Sequence, residues 1–346
     1  MYPNTYSIQE LADVTAGEII CNEFANKQVS DILIDSRRII TPENCVFIAL
    51  ITKKNDGHKY IEEVFRKGVR NFIISDTSVV PEGSNCILVQ DTLYALQMLT
   101  CWHRNKFNIP VIGITGSNGK TIIKEWLFQL LMPDYYVTRS PKSYNSQVGV
   151  PLSVWQLKDK SGMGIFEAGI SEPDEMSKLQ PIINPTIGIF TNIGTAHSEN
   201  FINLQQKVGE KLKLFTKVET LIYCPDYPEL QSTIIKSQIL ENIKAFTWSR
   251  KQEADLKITD TTRLPDNFSI LTGIYKDDEL SIKIPFNDEA SIENAIHCWA
   301  TMLYLGYSND IIDKRLKLLQ PIAMRLELKE GINHCSIIND SYNSDI

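Results

Sequence analysis

Val111 to Thr121 read V-I-G-I-T-G-S-N-G-K-T, a run whose residue types and spacing suit the binding of a triphosphate. Such a ligand needs close backbone approach, inward-pointing N–H donors, one fixed cation and a hydroxyl able to share a magnesium ion. Gly113, Gly116 and Gly119 carry no Cβ to hold a phosphate away, and Thr115, Ser117 and Asn118 fill the rest of the loop. Lys120 places a point charge within reach of the terminal phosphates, and the Thr121 hydroxyl stands where magnesium would bridge phosphate oxygens. The general pattern asks for glycine at the position of Ile114, and the glycine stands one place earlier, at Gly113. On the loop alone, a plain glycine-rich turn stays open as a reading.

The flanking residues predict the elements that would position this loop. Pro110 punctuates a preceding loop, and Val111 to Ile114 suits a buried parallel strand. Ile123, Trp126, Leu127 and Leu130 recur at helical spacing up to Pro133. Further strands are expected at Gly164 to Glu167, Ile187 to Asn192, Leu221 to Cys224 and Ala245 to Trp248, separated by helices or loops. Alternation of this kind predicts an α/β fold with a mainly parallel sheet covered on both faces. Asp255 to Pro285 reads as hairpins, with a turn around Lys276-Asp277-Asp278.

Residues 1–87 predict a separate small α/β module: a helix over Ile8 to Thr15, a strand at Val46 to Leu50, a helix from Tyr60 to Lys67 and a strand at Asn71 to Ser75. A helix from Thr92 to Arg104, with Leu93, Leu96, Leu99 and Trp102 on one side, leads into the loop. The expected organisation is therefore an N-terminal domain over 1–87, a central nucleotide-binding domain over 88–330, and a junction over 331–346.

Ligands of open α/β sheets gather beyond the carboxyl ends of the strands, so the polar residues that follow each apolar run are the candidates. Glu167 follows Gly164-Ile165-Phe166, and its carboxylate could hold magnesium opposite Thr121. After Ile187 to Phe190 comes T-N-I-G-T-A-H-S-E, which puts Thr191, Asn192, His197 and Glu199 in one glycine-broken loop, with His197 a metal or phosphate contact.

Composition excludes several classes. The 346 residues are 43% hydrophobic and 22% charged, as expected of an ordinary globular protein. A net charge of −7 leaves no basic footprint for nucleic acid, so an anionic ligand has to be held by a few local cations. Seven scattered cysteines without a C-x-x-C pair fit reduced thiols and a cytoplasmic location. No apolar run approaches the ~20 residues that cross a bilayer.

Four segments, taken in order, resemble the Mur ligases: G-I-T-G-S-N-G-K-T, then Y-N-S-Q-V-G-V-P-L from Tyr144, F-E-A-G from Phe166 and T-N-I-G-T-A-H from Thr191. The resemblance is nearest to the MurF type, which adds D-alanyl-D-alanine to UDP-N-acetylmuramoyl tripeptide. It extends to I-D-S-R at Ile34 to Arg37 and D-G-H at Asp56 to His58, which look like that type's UDP-sugar-binding domain. The reaction implied is phosphorylation of the peptide carboxylate by ATP, followed by attack of the D-Ala-D-Ala amine on the acyl phosphate.

Residue by residue, the resemblance implies Lys120 on ATP phosphates, Thr121 and Glu167 on one magnesium, and His197 on a second. Lys211 in G-E-K-L-K-L-F takes the place of the family's carbamylated lysine, although the acid usual two residues on is Lys213 here. Asn294 in S-I-E-N-A would contact adenine, Arg325 in A-M-R-L-E the ATP phosphates, and Asp340 in N-D-S-Y-N the ribose. Ser36 and Arg37 would hold the uridine diphosphate, with Asn145 and Thr191 on the rest of the substrate. Mur ligases continue into a third domain after the D-x-Y-N segment, so the chain is expected to be the first two domains of a longer protein with weak turnover by itself. Two other readings stay open: a ligase of the MurE or folylpolyglutamate synthetase kind, and a nucleotide-binding module without catalysis.

Overall fold

The computed structural model describes residues 4–24, 27–52, 55–194, 200–237, 241, 243–322, 327–330 and 336–339. His197, Glu199, Arg325 and Asp340 lie outside the described residues. The chain forms two compact units, one of 1–109, 147–161 and 181–183, the other of 110–146, 162–180 and 184–346.

The first unit begins with β1 (Tyr6–Ser7), α1 (Ile8–Thr15), β2 (Glu18–Asn22), β3 (Gln28–Val29), β4 (Asp31–Leu33) and β5 (Cys45–Ile48). It continues with α2 (Ile61–Arg66), β6 (Asn71–Ile74), β7 (Asn85–Leu88) and α3 (Thr92–Arg104). Its sheet runs in the order β2-β7-β6-β5-β4, with β2 antiparallel to β7 and the other neighbours parallel. Helix α1 starts where Ser7 and Glu10 satisfy each other's backbone N–H, a reciprocal cap that removes two orphan donors. Leu11 of α1 and Leu96 and Leu99 of α3 share one apolar cluster with Ile48, Ile73 and Ile87 of the sheet. That packing keeps α3 with the first unit, which therefore runs on to Ile109, past the boundary at 87.

The chain then forms β8 (Val111–Thr115), α4 (Lys120–Leu131), β9 (Val137–Arg139), α5 (Gly149–Val154), β10 (Met163–Glu167), α6 (Glu175–Ile183) and β11 (Ile187–Phe190). It goes on through α7 (Leu204–Leu212), β12 (Thr220–Tyr223), α8 (Pro228–Lys236), β13 (Lys244–Ser249), β14 (Leu256–Arg263), β15 (Ser269–Tyr275) and β16 (Asp278–Ile284). Helices α9 (Glu289–Tyr304) and α10 (Asn309–Leu316) follow, then a two-stranded antiparallel pair, β17 (Glu327–Glu330) and β18 (Ser336–Asn339). The nine-stranded sheet of the second unit has the order β16-β15-β14-β13-β12-β11-β8-β10-β9, parallel from β9 to β13 and antiparallel over β14-β15-β16. The expected α/β class and its mainly parallel sheet are both present. The β15–β16 turn falls on Lys276 and Asp277, both with positive φ as a tight hairpin requires.

This topology makes β8 the pivot. The chain leaves β8 through α4 to the edge strand β9, returns to β10 on one side of β8, and later places β11 on the other side. Register then decides which residues meet: Glu167 is level with Ile114, and Phe190 with Thr115. The loop after β8, the end of β10 and the segment after β11 consequently share the carboxyl rim of the sheet, where open α/β sheets bind ligands. Under the rim, Trp126 of α4 stacks on Phe286 with ring centroids 4.7 Å apart and donates its indole N–H to the Gln320 carbonyl.

Candidate active site

The loop Gly116–Gly119 joins a buried strand to a helix, and its two glycines carry its shape. Gly116 has φ +144°, and a Cβ there would collide with Thr191 Oγ1. Gly119, at φ +80°, caps α4, and a Cβ there would collide with Asn294 Oδ1. Gly113, read as part of the phosphate approach, is a correction: it lies within β8, and a Cβ would come 2.8 Å from Pro185, so this glycine serves packing beneath the sheet. The departure of the sequence pattern at Ile114 has the same cause, because β8 continues as a strand through Thr115 before the chain turns.

Thr121, in the first turn of α4, donates its hydroxyl to Glu167 Oε2 at 2.8 Å and lies 3.0 Å from Ser143 Oγ. Three oxygen-bearing side chains from α4, β10 and the loop after β9 thus converge at the positive end of a helix dipole. Oxygen donors of this hardness suit magnesium. Among the described residues no cluster of three or more His, Cys, Asp or Glu could hold a metal, so an ion here would rely on hydroxyls, one carboxylate, water and the nucleotide itself. The Ser143 loop is positioned by Lys124, fully buried on α4, whose ammonium donates to the Lys142 carbonyl.

Three lysines surround the other flank. Lys120 Nζ donates to the carbonyls of Gly116 and Ser117 at 2.9 and 2.7 Å. Lys211 Nζ donates to Gly116 O at 3.1 Å, and Lys207, one turn earlier on α7, to Gly194 O at 2.6 Å. Burial pushes the Lys211 amine well below the ordinary lysine range, and the charges of Lys120 and Lys207 push it further. Lys213 is tied to Glu210 and Asp174 at 2.7 and 3.0 Å.

Thr191 and Thr115 require correction as ligand contacts. Both are fully buried; Thr191 Oγ1 donates to Asn118 O at 2.6 Å, and Thr115 Oγ1 to Ala168 O at 2.8 Å. Their hydroxyls brace the loop and the strand ends. The predicted extension of β11 to Asn192 likewise stops at Phe190, because the next two residues turn to the phosphate loop: Asn192 O accepts from Ser117 N–H, and its Oδ1 from Asn118 N–H. Asn145 sits beside the rim with its carbonyl accepting from Gly169 N–H. Asn294 is buried under Gly119 on α9.

In the first unit, Arg37 forks onto Asp35 with two bonds of 2.9 Å, and Ser36, buried, donates to Glu63 at 3.3 Å. The guanidinium beside Asp35 holds that carboxyl down at about 2. His58 of the D-G-H motif accepts from Ser75 N–H at Nε2, so its Nδ1–H donates to Asp56 at 2.7 Å. These bonds lock the loop after β5 to the end of β6.

Sequence reasoning passed over Ser143, Lys207, Glu293 and His297. Lys207 had a signal in its four-residue spacing from Lys211, which sets both on one helix face. The others depend on partners far away in the chain.

The fold and loop define a P-loop-type α/β nucleotide-binding unit joined to a smaller α/β module. Residues 114–302 match the Mur ligase middle domain. The UDP-N-acetylmuramoyl-tripeptide--D-alanyl-D-alanine ligase of Bacillus subtilis is 29% identical over 345 residues, 98% of this chain and 72% of that protein. The crystal structure of MurF from Acinetobacter baumannii superimposes with a TM-score of 0.89 at 23% identity, covering all of this chain and 75% of that one. A MurF ligase from Thermotoga maritima in complex with ADP gives a TM-score of 0.79 at 23% identity, covering 91% and 72%. The chain belongs to the Mur ligase family.

Proposed function

We propose that the protein is an ATP-dependent amide ligase of peptidoglycan precursor synthesis that joins D-Ala-D-Ala to UDP-N-acetylmuramoyl tripeptide. The observation that carries this reading is the convergence of Thr121, Glu167 and Ser143 at the start of α4, beside the amino groups of Lys120, Lys207 and Lys211. The Bacillus subtilis relative, matched over nearly the whole chain, supports the choice of substrates. The structural likeness to an ADP complex supports the nucleotide.

The reaction brings a carboxylate to a triphosphate, two anions that repel. A carboxylate oxygen attacks the γ-phosphorus, ADP leaves, and the acyl phosphate that results is attacked at carbon by the neutral amine of D-Ala-D-Ala. The new C–N bond forms as inorganic phosphate leaves and the amine loses a proton. The protein's share of this work is positioning and electrostatic stabilisation. Lys120 shifts from the loop carbonyls onto the terminal phosphates, and the N–H groups at the start of α4 face the remaining oxygens. Magnesium held by Thr121 and Glu167 would supply further neutralisation of phosphate charge. Asn294 addresses adenine, Arg325 the phosphates and Asp340 the ribose, while Asn145 takes the muramoyl part.

Lys211 is placed to become a carbamate. Burial and the charges of Lys120 and Lys207 favour the neutral amine, the form that attacks carbon dioxide; the N–C bond forms, the nitrogen loses one proton and a neutral amine becomes an anion, which with His197 would hold a second metal. Ser36 and Arg37 bind the uridine diphosphate in the first unit, with Arg37 exchanging Asp35 for phosphate. The absence of a disulfide among the six described cysteines fits a cytoplasmic location, and no described helix is long and apolar enough to cross a membrane.

Lys120→Ala tests the assignment. Amide formation from ATP, the UDP-muramoyl tripeptide and D-Ala-D-Ala should fall by about a hundredfold or more, as when a preorganised charge partner is removed. Turnover equal to that of the wild type would refute it.

A further inference from the structure

We propose that His297 is a positioning residue for the phosphate loop: fixed as its Nε2–H form by Trp248, it anchors Thr191, and Thr191 sets the Asn118 peptide. The inference rests on reading the loop as a phosphate site. The indole N–H of Trp248 donates to His297 Nδ1 at 3.1 Å. An indole nitrogen can only donate, so Nδ1 carries no proton and the ring's hydrogen is on Nε2. That Nε2–H donates to the Thr191 carbonyl at 2.9 Å. Full burial pushes the imidazole down to about 4, in keeping with the neutral ring that Trp248 demands.

What Thr191 does next makes the anchor matter. Its hydroxyl donates to Asn118 O at 2.6 Å and occupies the space where Gly116 lacks a Cβ. A shift of Thr191 would therefore release the Asn118 carbonyl and open room beside Gly116. One turn earlier on α9, Glu293 accepts from Asn192 Nδ2 at 3.4 Å and from the Tyr227 hydroxyl at 2.8 Å, while Asn192 Oδ1 accepts from Asn118 N–H at 3.0 Å. The N–H and the carbonyl of Asn118, which lie in successive peptide planes, are thus gripped by consecutive residues, and each of those is moored to α9. Holding both groups of Asn118 sets the chain that leads into Gly119 and the first N–H groups of α4, donors that are worth most when held before the ligand arrives, and α9 supplies that preorganisation.

The test compares wild type, His297→Ala, His297→Gln and Trp248→Phe, with ATP affinity measured by calorimetry well below each variant's melting temperature and amide exchange measured at Asn118. A glutamine amide can still donate to the Thr191 carbonyl. Losing the buried bond should weaken ATP binding about tenfold in His297→Ala and speed Asn118 exchange, with His297→Gln recovering most of both. Unchanged exchange and affinity in His297→Ala would overturn the proposal, as would His297→Gln resembling the alanine variant at equal melting temperature. If alanine prevents folding, the glutamine and Trp248→Phe proteins carry the same comparison: Trp248→Phe should exchange faster at Asn118, and wild-type exchange there would count against the anchor. A wild-type protein that binds no ATP would overturn the phosphate-site reading instead, and exchange at Asn118 would still decide whether His297 holds the loop.

Discussion

Lys120 and Gly116 are chemically opposite, a charge and an absence, and the site needs both. Gly116 has the sharper structural constraint, since its positive φ and the nearness of Thr191 Oγ1 each exclude a side chain. Gly116→Ala should cost roughly 1–3 kcal/mol of stability from the strained backbone and abolish measurable ATP binding, because Thr191 must move to admit the methyl group. Calorimetry with ATP together with thermal unfolding checks this, and tight binding by a stable alanine variant would contradict it. At this scale the cation, the glycine turn and the hydroxyl of Thr121 were legible in the sequence, because a phosphate loop is a contiguous segment. Gly113 and Thr191 were misread for one reason: residue type announced a ligand contact, and burial in β8 or against Asn118 turned each inward. His297 was invisible because its partners Trp248 and Thr191 are 49 and 106 residues away in the chain.

Helices α3 and α9 each carry one buried histidine held in the same manner. In α3, His103 Nδ1 accepts from the Tyr6 hydroxyl at 2.6 Å, and its Nε2–H donates to Leu157 O at 3.1 Å. Burial pushes both His103 and His297 down to about 4. The unfolded chain takes up these protons near pH 6.5, the folded one only near 4, so folding stability is complete above pH 6.5 and is lost progressively as the pH falls to 4. Each ring contributes on the order of 3 kcal/mol to that slope. Urea unfolding at pH 7 and pH 4.5 should show the loss, and His297→Gln should flatten it; an unaltered slope would show that the ring is not buried as a neutral base. Elements with a clear apolar pattern were readable, α3 from its helical spacing and β8 from its continuous apolar run. Strands β2, β4 and β7 were missed, since polar residues such as Glu18, Asn22, Asp31 and Asn85 interrupt their short apolar runs.

For the whole molecule, an acidic chain of net charge −7 has to gather anions, and it does so by concentrating lysines at one rim of one sheet. The strand order was not legible in advance, because parallel strands separated by helices can be threaded in several orders with the same local pattern. Once β8 lies between β10 and β11, Thr121, Glu167 and the residues after Phe190 have to meet. In the proposed reaction this rim lets a carboxylate take a phosphoryl group from ATP. Oxygen-18 placed in the substrate carboxylate follows that step directly. During amide formation by the wild-type protein, one labelled oxygen should leave with each inorganic phosphate; phosphate released without label would contradict an acyl phosphate and the account built on it.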